Sequence, residues 1–300
     1  MHPIQINRRQ MLAASAAGST QLCLSRRLFA ADDLDVLSFV IVSDTHLGRN
    51  NNASAEKNWR KAIDEINQQP GDFVLHLGDV VDSGRESQYP VYADTRKLLN
   101  KPIHEIPGNH DPVDLFKKYV TAETDRSVDY GGARFILFNN AHRDSHDGFI
   151  EGEQLAWLET QFADAAEKDL RIVVCCHVPI HTNKNPDRGW YVKPDNGQKE
   201  FYELMTHYTD RTLAIMHGHF HNGIRGWRDH GQTVETLFPS ICYNQNRGLT
   251  DRIAAGKATG FFVDELRPGY VLAELGKGKL TLRYKPLAAD QHGTYAAEWS

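Results

Sequence analysis

Five short strings concentrate carboxylates, imidazoles and one amide: Asp44-Thr-His46, Gly78-Asp79-Val-Val-Asp82, Gly108-Asn109-His110-Asp111, His177-Val-Pro179 and His217-Gly-His219-Phe-His221. Carboxylate, imidazole and amide oxygen are the donors that suit Mn, Fe or Zn. A carboxylate shared by two such cations offsets their repulsion at about 3.5–4 Å. Asp44 and His46 are two apart, as are His219 and His221, so in an extended chain each pair faces one way. Each string alone has an ordinary reading. Asp-x-His is commonly a strand end, and Gly-Asp-x-x-Asp a turn. Asp111 could cap a helix that starts at Pro112 and carries Asp114 in its first turn. His177 alone reads as a core histidine. These readings leave Asn109, His110 and the three clustered histidines without an explanation.

Each string follows an apolar run. Buried strands are predicted over 37–42, 73–77, 103–106, 171–176 and 212–216. In open α/β sheets, sites gather at the carboxyl ends of strands, and the five strings stand there. Helices are expected over 57–68, 91–99 and 153–167. Gly131-Gly132 marks a hairpin between 127–130 and 134–138. Further strands are expected over 233–238, 261–263, 270–275 and 280–284. Alternation of strands and helices followed by strands alone predicts a mixed α/β domain with two sheets. The segment 180–198 reads as a long loop, the kind that is often functional.

Composition narrows the partners. Residues 1–30 hold four arginines and no acid. Arg8-Arg9, a weakly apolar stretch and small residues near Ala30 and Ala31 predict an export signal over 1–31, of twin-arginine type. Its removal would leave 30 basic residues against 39 acidic ones. A chain that acidic is a poor general binder of nucleic acid or anionic membrane, so none is expected as a partner. No apolar run is long enough to span a bilayer. Of four cysteines, Cys23 lies in the signal, and Cys175, Cys176 and Cys242 read as small core residues. The expected organisation is a signal at 1–31, a domain at 36–287 and a tail at 288–300.

Taken in order, the five strings resemble the calcineurin-like metallophosphoesterases over roughly 37–284. The resemblance implies a four-layer α-β-β-α sandwich of two mixed sheets with a two-metal centre. It implies Asp44, His46 and His221 on one ion, and Asn109, His177 and His219 on the other. Asp79 would bridge them, and His110 would contact the phosphate or protonate the leaving group, oriented by Asp82. Val81 and Ser83 depart from the tyrosine of purple acid phosphatases and the arginine of protein phosphatases. Asp-x-His, Gly-Asn-His-Asp and 148–158 look more like bacterial cyclic-nucleotide-type phosphodiesterases.

The expected activity is therefore metal-dependent hydrolysis of a small phosphoester, a diester first, with the cations activating water. A phosphomonoesterase and a non-catalytic scaffold of the same fold are the alternatives. Arg188, Trp190 and Tyr191 could hold the substrate or pin the 180–198 loop to the core. Tyr243 and Asn244 are further pocket candidates. His76 and His217 read as strand or supporting residues, and His181 is a further histidine without an assigned role.

Overall fold

A computed structural model describes residues 36–51, 53–182, 189–230, 233–244, 267–276, 279–287 and 296–299. In chain order the elements are β1 (Leu37–Val42), α1 (Ser54–Ile66), β2 (Val74–His76), α2 (Tyr89–Arg96), β3 (Ile103–Glu105), α3 (Val113–Tyr119), β4 (Arg126–Tyr130), β5 (Ala133–Leu137), α4 (Gly152–Glu167), β6 (Arg171–Cys175), α5 (Gln198–Thr206), β7 (Thr212–His217), β8 (Arg225–His230), β9 (Thr233–Leu237), β10 (Gly269–Gly276), β11 (Lys279–Pro286) and β12 (Ala296–Trp299). They form two six-stranded mixed sheets, ordered β12-β11-β10-β1-β2-β3 and β4-β5-β6-β7-β9-β8. In the first, β1, β2 and β3 run parallel. In the second, β5, β6, β7 and β9 do.

Strand periodicity explains the layers. Phe39 and Ile41 of β1 point into a core shared with Phe135, Leu137, Val173, Cys175, Ala214 and Met216 of the other sheet. The alternate residues Val40 and Val42 point outward, onto Trp59, Ala62, Ile63 and Ile66 of α1 and onto α2 and α3. Across the molecule Ile136, Val174 and Ile215 do the same against Leu158 and Phe162 of α4 and Phe201 and Met205 of α5. The result is a four-layer sandwich of helices, sheet, sheet and helices. Burial on both faces is why these strands read as continuous apolar runs.

Gly131 and Gly132 both have positive φ (52° and 77°) and close the β4–β5 hairpin opposite Tyr130 and Ala133. That is the conformation a two-residue turn requires. Elements with weak patterns escaped the sequence reading. The polar edge strand β8 lacks apolar alternation, and α5 begins within the presumed loop with only Phe201 and Met205 as buried apolar anchors. Ala296–Trp299, in the segment read as a tail, pairs with β11. The expected strand at 261–263 lies outside the described residues.

Candidate metal centre

The donors stand just past the strands, in turns with unusual backbone. β1 ends at Val42 and β7 at His217. Asp44, His46, Asp79, His219 and His221 all have positive φ, between 45° and 77°. The expectation that the Asp44/His46 and His219/His221 pairs face one way through extended chain is therefore corrected. Left-handed backbone turns them inward, at a cost of about 1–3 kcal/mol each, and such strain persists where surrounding structure holds it. Here neighbouring turns do so: Asp44 N–H donates to Gly78 O (2.9 Å), His46 N–H to Asp79 O (3.0 Å) and Gly218 N–H to His177 O (3.1 Å). Gly78 and Gly218 are required by close approach. A Cβ on Gly78 would lie 2.5 Å from His177 Nδ1, and one on Gly218 2.1 Å from Ser43 Oγ.

Hydrogen bonds on the outward nitrogens decide which way the lone pairs point. His177 Nδ1 meets Leu77 O at 2.6 Å, His219 Nε2 meets His146 O at 3.0 Å and His221 Nδ1 meets Tyr243 O at 3.0 Å. A carbonyl only accepts, so each of those nitrogens carries the proton and its partner nitrogen presents a lone pair. His46 Nδ1 faces Asp82 Oδ1 at 3.3 Å, which gives the same result. The inward nitrogens then face one another and the carboxylates. His46 Nε2 lies 3.0 Å from His221 Nε2, His219 Nδ1 3.2 Å from His177 Nε2, and His221 Nε2 2.8 Å from Asp44 Oδ1. Acceptors that converge on acceptors need a cation between them, a metal ion or, where none is bound, a proton.

Two such clusters meet at one atom. Asp79 Oδ2 lies 3.5 Å from His46 Nε2 and 3.2 Å from His177 Nε2, while Oδ1 accepts the His110 N–H at 2.8 Å. Asp44, His46, Asp79 and His221 make one group able to hold an ion; Asp79, His177 and His219 make the other. Asn109 lies in the turn that wraps Asp79, and among the described residues neither its buried Oδ1 nor Asp44 Oδ1 has a hydrogen-bond donor. The donor set thus fits two cations.

The electrostatics agree. Burial alone would lower His46, but hydrogen bonding to Asp44 and Asp82 and the charge of Asp79 outweigh it and raise it to about 10. Burial is likewise outweighed at His177, which the Asp79 charge and hydrogen bond raise to about 9. At Asp44, burial is overcome by His221 and His46, and its carboxyl lies well below the usual range. The pocket therefore demands positive charge on both sides of Asp79.

Several surrounding roles differ from expectation. The Asp82 carboxylate faces His46 and Arg49, and it is the Asp82 backbone carbonyl that meets His110 Nδ1. Asp111 caps no helix. It is buried and accepts N–H groups from Gly108 (2.9 Å), Val80 (3.0 Å) and Val81 (3.2 Å), so it ties the His110 turn to the Asp79 turn. Trp190 stacks on His146 (4.0 Å between centroids) and lies 5.4 Å from His219, beside the loop whose His146 carbonyl meets His219. Tyr191 packs under Lys193, whose Nζ lies 3.7 Å from its ring centroid, and Arg188 lies outside the described residues. Sequence reasoning missed Asn140, whose side-chain amide grips both backbone groups of Val178 (3.0 and 2.6 Å). It also missed buried Glu235, which accepts from Ile180 N–H, His181 N–H and Tyr202 O–H and meets His217 Nε2 at 2.6 Å. An acid inside the apolar strand β9 was the available signal for Glu235.

The family model for calcineurin-like phosphoesterases matches residues 37–223. The chain belongs to that family. It is an enzyme of phosphoester hydrolysis, and the paired donor sets are consistent with a dinuclear metal centre. It is 26% identical over 201 residues to the probable glycerophosphodiester phosphodiesterase of Arcobacter nitrofigilis, covering 61% of this chain and 71% of that one. It is 23% identical over 260 residues to the 3',5'-cyclic adenosine monophosphate phosphodiesterase of Haemophilus influenzae, covering 80% and 86%. Among solved structures it resembles a dimetal phosphatase from Danio rerio, with a TM-score of 0.64, 12% identity and coverage of 88% and 99%. That likeness shows the fold.

Proposed function

We propose that this phosphoesterase is an exported phosphodiesterase acting on a small diester. The carrying observation is Asp79 Oδ2, placed between two donor sets with a histidine at their edge. Asp44, His46 and His221 would hold one ion, and Asn109, His177 and His219 the other, with Asp79 common to both. Imidazole, carboxylate and amide donors without a thiolate favour Mn, Fe or Zn. Two such ions supply Lewis acidity toward the phosphoryl oxygens and a water of lowered pKa.

The chain's own residues do the rest. Asp44 and Asp79 offset part of the cationic charge, leaving local positive field for an anion in an acidic protein. His110 is held at Nδ1 by the Asp82 carbonyl, so Nε2 is left to face the reacting ester. As an imidazolium it donates a proton to the departing oxygen. Preference for diesters is supported by the names of the two curated relatives, whose substrates are a glycerophosphodiester and a cyclic nucleotide. The export part of the proposal is supported by the basic, acid-free first 30 residues.

The test compares hydrolysis of bis-(4-nitrophenyl) phosphate and 4-nitrophenyl phosphate by metal-stripped enzyme resupplied separately with Mn, Fe and Zn. A higher kcat/KM for the diester is expected. Monoester preference in every metal overturns the diester reading and makes the protein a phosphatase. For export, mass spectrometry of periplasmic protein should find an N-terminus near Ala31. Full-length cytoplasmic protein alone would overturn it.

A further inference from the structure

Arg49 follows His46 in a short 3-10 turn, where its own N–H donates to His46 O at 3.1 Å. The turn is fastened to the neighbouring one, since Leu47 N–H donates to Val80 O (3.1 Å) and Asp82 N–H to Leu47 O (3.0 Å). Arg49 Nη1 lies 3.2 Å from Asp82 Oδ1, and the guanidinium carbon sits 3.9 Å from the centroid of the Tyr243 ring. Those two partners have a shared property. Asp82 Oδ1 faces the outward nitrogen of His46 at 3.3 Å, and Tyr243 O accepts from the outward nitrogen of His221 at 3.0 Å. The Tyr243 ring also packs on His221 at 4.4 Å. One guanidinium thus touches the Asp82 carboxylate that faces His46 and the ring of Tyr243, the residue whose carbonyl and ring both meet His221.

We propose that Arg49 is a positioning residue for the ion held by Asp44, His46 and His221. It acts without touching that ion, by holding Asp82 against His46 and Tyr243 against His221. Arginine suits the task because its flat guanidinium pairs a carboxylate at its edge while its face lies on an aromatic ring. Both side chains of the Arg49–Asp82 pair are partly exposed, so the pair adds little to folding stability. Its consequence is geometric, felt in how well two lone pairs converge. The other donor set is built differently, with His177 and His219 oriented by the carbonyls of Leu77 and His146.

The inference rests on the two-ion reading, and stepwise metal binding separates the two. Competition with a chromophoric chelator is measured for Mn and Zn in wild type, Arg49→Ala and Arg49→Lys, with Co absorption spectra and melting temperatures alongside. Arg49→Ala should weaken one binding step by about tenfold, in line with the loss of a group supporting a metal ligand, and leave the other unchanged. The Co spectrum of the weakened step should shift. Arg49→Lys should recover part of the loss, because an ammonium keeps the Asp82 pair but cannot lie flat on Tyr243. Two unchanged steps in Arg49→Ala overturn the proposal. So do two steps weakened alike with a lower melting temperature, which would mark Arg49 as a support of the fold. Wild type that binds no second ion overturns the two-ion reading itself, and the proposal with it.

Discussion

The two halves of the centre share Asp79 and otherwise differ in kind. The Asp44 half has a carboxylate of its own, and one of its imidazoles leans on a charged side chain. Further polar groups hold Asp44 in place: Ser43 Oγ meets its carboxylate, and Ser240 Oγ–H donates to its carbonyl at 2.8 Å. The other half has two imidazoles that lean on backbone carbonyls, and the neutral amide Asn109 is the donor proposed to join them. More negative charge and a carboxylate-oriented imidazole predict that the first half binds its cation the more tightly, which stepwise titration reads directly. An imidazole oriented by a side chain, as His46 is by Asp82, can be tuned by substitution, whereas one oriented by a carbonyl yields only when a loop moves.

Removing the shared oxygen should erase the comparison. Asp79→Ala is expected to take metal content from about two ions per chain to roughly none, read by elemental analysis after dialysis, because each half loses a carboxylate that offsets cationic charge. Retention of one tightly held ion would mean that the Asp44 half is independent of the bridge. His110→Ala should leave both halves loaded yet lower turnover by about 10²–10⁴. The backbone N–H of residue 110 on Asp79 Oδ1 survives this change, so metal loss in that variant would place the His110 ring among the supports of the centre rather than at the ester.

Smaller changes should act on one half only. Asp82→Asn is expected to weaken the Asp44-half ion by about 10–100-fold, since the amide holds the His46 proton less firmly. Trp190→Ala should affect the other half by less than about tenfold, because it loosens only the loop whose His146 carbonyl receives the His219 N–H. Stepwise titration with a competing chelator reads both. If Trp190→Ala proved the more damaging, carbonyl support would be the more fragile design.

Much of this was visible in the sequence, for a physical reason. Asp44, His46, Asp79, Asn109, His177, His219 and His221 follow apolar strands, and parallel strands deliver their ends to one edge of a sheet. What was invisible depended on turns and on distance along the chain. Left-handed backbone at five donors has no signature in residues other than glycine. Asp111 looked like a helix cap because its partners, Val80 and Val81, are some thirty residues away. Tyr243 and Arg49 are nearly two hundred residues apart, and only the fold lays one on the other. Strands and helices with a buried stripe were legible, while β8, with a polar edge sequence, was not.

The smallest expected effect concerns the buried histidines behind each half. His217, behind the His219 side, meets the Glu235 carboxylate. His76, behind the Asp44 side, meets only the Thr45 hydroxyl among the described residues, at 3.1 Å, beside the rings of Trp59 and Tyr92. Burial lowers His76 to about 3, from the ordinary 6.5 of an imidazole. The folded protein therefore keeps it neutral at a pH where the unfolded chain binds a proton. Its titration thus costs nothing above about 6.5 and destabilises the fold increasingly as pH falls from there toward 3. His76→Gln retains a polar group for Thr45 and removes the titration. Urea unfolding of both proteins with saturating metal should then show a shallower loss of stability between pH 6.5 and pH 5 in the variant, even if its stability at pH 8 is lower. Parallel curves would mean that His76 accepts its proton in the folded state, and that the Asp44 half tolerates a cation on its core side as well as within it.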